Sequence, residues 1–165
     1  MGRGLLILGA GQFGKLIFEL AQQMNCFERI AFLDDASPVA VGLLNDYASL
    51  RAEFSDAVVA IGNPDVRLAW VARLSEAGYT VPSIVSPSAY VSPSATLGKG
   101  CVIEPNATVQ TGCVLGDVCI VASGAVVRHN ACMESGACLD CNAVIMSGKI
   151  LPSKVKVSAL TVYEQ

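Results

Sequence analysis

The chain has 165 residues, 11 basic against 14 acidic, a net charge of −3, and a composition that is 53% hydrophobic, 15% charged and 6% aromatic. That length makes one domain or two small ones. The charge balance lacks the basic stripe of a nucleic-acid binder, and low charge with high apolar content excludes disorder. Mean hydropathy is positive at +0.53, yet no run approaches the ~20 apolar residues of a membrane-spanning helix, because Gly, Asp, Asn or Pro interrupts every candidate.

The N-terminal apolar run is too short for a signal peptide and leads directly into a Gly-rich turn. Gly2 fits the first position of a myristoylation motif, but Leu6 stands where Ser or Thr is required. A cytoplasmic protein is the expectation, and the seven cysteines, an odd number, read as free thiols in buried positions.

Residues 4–9 form a short apolar run that reads as a buried parallel strand. It ends in Gly9-Ala10-Gly11-Gln12-Phe13-Gly14, a G-x-G-x-x-G pattern. Phe13, Leu16, Ile17, Leu20 and Met24 then share one helical face. A second strand, Ile30 to Leu33, ends in Asp34-Asp35, with Asp34 twenty residues after Gly14, where an acid that binds a ribose hydroxyl would sit. Alternatively, these acids cap the next segment. A third strand, Ala57 to Ile61, ends in Gly62-Asn63-Pro64; a helix from about Asp65 to Ala77 and a short strand from Val81 to Val85 follow. Glycines let a backbone approach a phosphate, and the next helix offers free N–H groups and the positive end of its dipole. The competing reading is a tight strand–helix turn that needs glycine for packing alone. A dinucleotide site requires two mononucleotide halves, and only one is present. A single nucleoside diphosphate, or a sugar carrying one, therefore fits better than NAD.

From Val85 the chain has period six: thirteen successive positions from 85 to 157 are all aliphatic or Met. Four residues after each comes a small one, from Ala89 to Ala143, until Lys149, Val155 and Thr161 depart from the rule. Pro87, Pro93 and Pro105 stand two residues after an aliphatic; Gly100, Asn106, Gly112, Gly124, Asn130, Gly136, Asn142 and Gly148 stand three after. Pro followed by a residue tolerant of positive φ marks a type II turn. The repeat describes strand, corner, strand, corner; three sides make an eighteen-residue coil, so a triangular β-solenoid of about four coils follows, roughly 20 Å long at ~4.8 Å per coil. Its core admits one aliphatic and one small residue per side, which accounts for the aromatic-poor composition.

The [LIV]-x-x-x-[small]-x hexapeptide resembles the left-handed parallel β-helix acyltransferases. The whole chain resembles the branch of sialic-acid O-acetyltransferases and bacillosamine-type nucleotide-sugar N-acetyltransferases. The resemblance rests on Gly9 to Lys15 (G-A-G-x-x-G-K), Phe32 to Asp35, Ala60 to Asn63 with the downstream Arg67, and Pro87 to Ala95 (P-S-A-x-[VI]-S-P-S-A). It implies a small Rossmann-like domain over residues 1–84, a left-handed β-helix over 85–162 and a tail over 163–165. It also implies a homotrimer with its active site between neighbouring subunits, acetyl-CoA as co-substrate, a UDP-sugar or similar acceptor, and no metal or NAD. Gly9, Gly11, Gln12, Phe13, Gly14, Asp34, Asp35, Gly62, Asn63 and Arg67 would contact the sugar nucleotide; Gly136, Cys138, Ala143 and Gly148 would contact acyl-CoA.

His129 is the sole histidine and falls at a corner of the repeat. By itself that position also suits an exposed histidine with no role. The resemblance makes it the general base that takes the proton of a sugar amine or hydroxyl attacking the thioester, and imidazole titrates in the right range for this. Where the family has Glu or Asp after its histidine, this chain has Asn130, a residue suited to positive φ and able to orient an imidazole without charge. Phe13 and Cys138 stand where the family carries further histidines, and 36 residues follow His129, fewer than is usual. The resemblance is therefore compatible with a reduced CoA site, or with a trimeric nucleotide-sugar-binding scaffold that has lost acyl transfer. His129, Cys132, Cys138 and Cys141 match no standard zinc spacing.

Overall fold

The three apolar runs of the first half become one parallel sheet: β1 (Gly4–Leu8), β2 (Arg29–Leu33) and β3 (Asp56–Val59), in the order β2-β1-β3. This computed structural model describes residues 3–165; Met1 and Gly2, including the reading at Gly2, lie outside the described residues. Side chains alternate across a strand, and both faces of β1 are covered. Leu5 and Ile7 pack with Ile17, Leu20 and Ala21 of α1 (Gln12–Gln23). Leu6 and Leu8 pack with Trp70, Val71 and Leu74 of α2 (Pro64–Glu76). A 3-10 helix, Leu44–Ala52, was not expected from the sequence. It presents Tyr47 edge-on to Trp70 at 5.4 Å, and its backbone accepts a 2.6 Å hydrogen bond from Tyr79 Oη.

The expected strand from Val81 to Val85 does not join this sheet. Thr80 makes only an isolated bridge with Asp56, whereas Ile84–Val85 pair with Val102–Ile103 and open the second unit. That unit is the triangular β-solenoid. Two-residue strands pair in parallel with partners eighteen residues away, as Ile120 with Cys138 and Val126 with Val144. They form sheets of five, five and four strands, here faces one (from Ile84–Val85), two (from Tyr90–Val91) and three (from Thr96–Leu97). The second residue of each pair points inward. Ile103, Val109, Leu115, Val121, Val127, Met133, Leu139 and Ile145 are all within 1% of complete burial, and the small corner residues fill the gaps between them. The ladder runs one side further than the aliphatic pattern: Val162–Tyr163 forms a last strand, so Tyr163 belongs to the solenoid rather than to a tail.

Eleven successive corners, from Gly100 to Leu160 at intervals of six, have positive φ. Pro105-Asn106 forms the expected turn, with Asn106 at φ 60° and the Ala107 N–H bonded to the Glu104 carbonyl. Ser88 and Ser94, which also follow prolines, are not among the positive-φ residues; those corners turn without the left-handed residue that a type II turn requires. All seven cysteines are free; Cys101, Cys113 and Cys119 are buried as expected, whereas Cys132, Cys138 and Cys141 are half-buried and Cys26 is exposed. Cys101 and Cys119 fill small slots one coil apart, fully buried.

The two units share core. Ile17 of α1 clusters with Ile84 and Val102 on the outer side of face one. Trp70 and Val71 of α2 cluster with Val118, at the corner between faces three and one.

Candidate functional site

The glycines of the first loop divide by function. A Cβ on Gly14 would lie 2.0 Å from the Gly9 carbonyl oxygen, and one on Gly9 would lie 2.8 Å from the Ala60 carbonyl oxygen. Close packing accounts for both: Gly14 lets α1 sit against the end of β1, and Gly9, at φ 109°, lets the end of β1 lie against the backbone that follows β3. Gly11 and Gly62 have no protein atom within 4 Å of where a Cβ would stand. Gly11 is the N-cap of α1, with no side chain satisfying the first helical N–H groups and no acidic residue in the first turn. An uncapped helix start of this kind favours an anion. The start of α2 is different: Asn63 Oδ1 accepts from the N–H groups of Asp65 and Val66 at 2.9 and 3.2 Å. This is an N-cap followed by Pro at the first helical position, so Asn63 has its side-chain oxygen occupied within the fold.

Asp34 is occupied as well. Its carboxylate accepts from the N–H groups of Ala10, Ala36 and Ser37 at 2.8 to 2.9 Å. These bonds, that from Ala10 foremost, hold its pKa below the usual carboxylate range. The capping alternative is the one the structure shows for Asp34, and Asp35 likewise accepts from the Leu44 N–H. Both line an open concavity of about 370 Å³ that also includes Ser37 and Asp46. Its carboxylates make it a poor place for a phosphate and a suitable one for hydroxyl donors.

A second concavity, of about 260 Å³, lies between the two units. Phe13, Gly62, Pro64 and Arg67 line it from the first unit, and Ile120, Gly136, Cys138, Lys154 and Lys156 from the solenoid. Five residues singled out from the sequence, Phe13, Gly62, Arg67, Gly136 and Cys138, are thus brought together. Arg67 is only 3% exposed. It donates through Nη1 to the carbonyls of Gly62 (2.7 Å) and Ile61 (3.2 Å) and through Nη2 to those of Gly136 (3.3 Å) and Val118 (3.4 Å). It has no carboxylate partner among the described residues; burial lowers its pKa from the ordinary value, and Nε has no partner. Lys154 and Lys156 pair outward with Asp65 (2.5 Å) and Asp140 (2.7 Å). The lysines are thus each ion-paired, and Arg67 is the cation in the wall of this cavity without a carboxylate partner among the described residues. The lysines were not anticipated, although both fall in the stretch where the small-residue rule lapses.

His129 lies elsewhere, exposed at the corner between faces two and three. Its backbone is held from both neighbouring coils: its N–H donates to Gln110 Oε1 at 3.0 Å, and its carbonyl accepts from the Gly148 N–H at 3.1 Å. Its ring meets Ser147, whose Oγ is 3.3 Å from Nδ1. Asn130 does not reach the ring. At φ 58° it turns its side chain towards Gly112, placing Oδ1 2.3 Å from where a Cβ there would stand. Gly148 is exposed beside His129. Ala143 is not available as an acyl-CoA contact through its side chain: it is fully buried in the solenoid core, its N–H bonds Asp140 and its carbonyl accepts from Val126.

Comparisons with known proteins agree with this architecture. Residues 4–74 match the PglD N-terminal domain family, and residues 94–129 match the bacterial transferase hexapeptide (six repeats) family. No match is found among curated proteins. The acetyltransferase domain of PglB from Neisseria gonorrhoeae FA1090, solved in complex with acetyl coenzyme A, is 30% identical, with 98% of this chain and 88% of that one covered and a TM-score of 0.79. The same domain without the coenzyme gives 29% identity over 99% and 92% of the two chains, TM-score 0.81. PerB from Caulobacter crescentus, in complex with CoA and GDP-perosamine, shares the fold at 23% identity over 98% and 91%, TM-score 0.72. By fold and repeat, the chain is a hexapeptide-repeat acetyltransferase. More narrowly, it belongs to the family of the PglB acetyltransferase domain.

Proposed function

We propose that the protein transfers an acetyl group from acetyl-CoA to an amine or hydroxyl of a nucleotide-linked sugar, with His129 as general base. The observation that carries this reading is the presentation of His129. It is an exposed ring whose backbone is fixed from both adjacent coils and whose Nε2 has no partner among the described residues. The 30% identity with a domain that binds acetyl-CoA supports the acyl donor. The uncapped start of α1 and the carboxylate-free Arg67 in the cavity wall support an anionic acceptor, a sugar on a diphosphate such as a UDP-sugar. Amine and hydroxyl acceptors both suit the proposed base.

His129 and the interdomain cavity occupy different corners of the triangle. A second copy of the chain bringing its own cavity to His129 completes the site, so we propose a homotrimer. The outward rows of faces two and three, with Tyr90 (55% exposed), Val114 (49%), Ile150 (56%) and Val162 (51%), supply apolar surface for such contacts. A cytoplasmic location is proposed with this substrate class.

The decisive assay is thiol release from acetyl-CoA with a panel of UDP-amino sugars and UDP-sugars, wild type beside His129→Ala. The expected result is release by wild type and loss on the order of 10²-fold or more in the variant. Release no greater than the variant's across the panel, with UDP still raising the melting temperature, would point instead to the sugar-nucleotide-binding scaffold. Light scattering at micromolar concentration tests the trimer, and a monomer would refute a site shared between subunits.

A further inference from the structure

We propose that Ser147 is the positioning residue for His129, fixing the ring tautomer by a hydroxyl from the adjacent coil. This inference rests on His129 acting as the base. A histidine that removes a proton through Nε2 must carry its own proton on Nδ1, and whatever faces Nδ1 decides how fully that tautomer is populated. Here that group is Ser147 Oγ, at 3.3 Å. The distance is at the long end of the useful range, as is common before substrate tightens a site.

Position 147 is eighteen residues after His129, one full coil. The Gly148 N–H bonded to the His129 carbonyl locks the two corners in register, so Ser147 is held against the ring by the ladder itself. Asn130 is directed to the opposite neighbouring coil, against Gly112.

A serine hydroxyl can donate to a bare Nδ1 or accept from Nδ1–H; once an acceptor N–H or O–H points its proton at Nε2, only the accepting role is left, and the hydroxyl fills it without charge. In the reaction, a lone pair of the acceptor nitrogen or oxygen attacks the thioester carbonyl carbon, and the C=O π pair moves onto oxygen. Nε2 takes the acceptor's proton while the N–H or O–H bonding pair stays on the acceptor atom; the oxygen then re-forms the carbonyl. The C–S bond then breaks, and the imidazolium returns that proton from Nε2 to the CoA sulfur. The Nδ1 proton stays on the ring throughout, hydrogen-bonded to Ser147 Oγ.

His129 is the only histidine in the chain, so its tautomer can be read without assignment, by long-range proton–nitrogen correlation on the full-length protein labelled with 15N-histidine. The expected result is a dominant Nδ1–H tautomer in wild type and in Ser147→Thr, and reversion to the Nε2–H form favoured by free imidazole in Ser147→Ala. In the assay above, Ser147→Ala should lose about tenfold in kcat with KM for acetyl-CoA within about twofold, and Ser147→Thr should recover most of the loss. This is well short of the ~10²–10⁴-fold that the base itself supplies. An Nε2–H tautomer in wild type, or a Ser147→Ala variant unchanged in tautomer or in kcat, overturns the assignment of Ser147. Full turnover by His129→Ala overturns the base instead, and the tautomer measurement does not depend on turnover.

Discussion

Arg67 Nη2 donates across the domain boundary to the carbonyl of Val118, and Val118 itself stands in the left-handed region at φ 52°. Its second acceptor in the solenoid, Gly136 at φ 82°, is the equivalent corner one coil on. One guanidinium therefore reads two successive corners of the solenoid while its other nitrogen holds the Ile61-Gly62 turn that leads into α2. The same cation lines the interdomain cavity, so the joint between the units and the wall of the candidate substrate site are one residue.

Replacing Arg67 should loosen that joint. Lysine keeps the charge but cannot span four carbonyls from one planar head, and methionine keeps length and little else. Relief of the buried charge offsets part of the loss. The carbonyl of buried Val118 nonetheless loses its side-chain donor, at a cost of about 1–3 kcal/mol. Both variants should lose about 2 kcal/mol, or roughly 4–8 °C in Tm for a chain of this size. Fluorescence of Trp70, the single tryptophan, sits on α2 and reports the transition. An Arg67→Lys protein as stable as wild type would refute the four-carbonyl account.

Val118 sets strain against burial. A non-glycine residue in the left-handed region costs about 1–2 kcal/mol, more for a β-branched one. Val118 accepts this in order to bury its side chain, 1% exposed, against α2. Val118→Ala loses the packing and keeps the strain; Val118→Gly loses the packing and sheds the strain. The usual order, in which Gly is worse than Ala by ~0.5–1 kcal/mol, should therefore invert, with Val118→Gly about 1 kcal/mol more stable than Val118→Ala in chemical denaturation. Finding Ala the more stable would show that strain at this corner is negligible.

The solenoid was legible because every side repeats the same demand of one aliphatic, one small residue and one turn, so even a weak signal is read many times. Val118 was the corner the pattern skipped, since its side chain answers to α2 rather than to the turn. The Val81–Val85 run misled because an apolar strand looks alike in either unit, and its pairing with Val102–Ile103 is a tertiary fact. The cap at Asn63 was missed, because Asn63 reads as a ligand contact although Asn-Pro-Asp carries the signature of a helix start. The Arg67 joint was not legible, because a buried arginine satisfied only by carbonyls leaves no partner to find in sequence. The 3-10 helix has no sustained apolar stripe. The Ser147 contact follows from the eighteen-residue coil once the coil is used to pair side chains as well as strands.

The corner glycines should rank by what faces them. Gly112 and Gly148 both have φ near 70°, but a Cβ on Gly112 would meet Asn130 Oδ1 at 2.3 Å, whereas one on Gly148 would meet nothing within 4 Å. Gly148→Ala should cost about 1 kcal/mol, the backbone penalty alone. Gly112→Ala should cost about 1–3 kcal/mol more, since the Asn130 side chain must leave its rotamer. Asn is tolerated at such corners, so Gly148→Asn should lie within about 0.5 kcal/mol of wild type. Equal losses for the two alanine variants in thermal melts would refute the stacking of Asn130 on Gly112.

Asp34 gives the first unit a pH dependence of definite sign. Its pKa is lowered in the folded state, chiefly by the Ala10 N–H and then by that of Ala36. A depressed folded pKa contributes stability that is fully present above the unfolded value, ~3.9, and is lost as pH falls through the folded one. Asn in its place offers a single neutral acceptor oxygen where the carboxylate bonds through two. The carboxylate is partly solvated, so the difference at pH 7 should be modest, about 1 kcal/mol, or roughly 2–4 °C in Tm. Melting curves of wild type and Asp34→Asn from pH 7 to pH 3 should therefore keep a constant gap down to about pH 5 and then converge, because the wild-type carboxylate becomes protonated while the amide does not titrate. A gap that widens on acidification would mean that the carboxylate is destabilised by its surroundings, contrary to its three N–H donors.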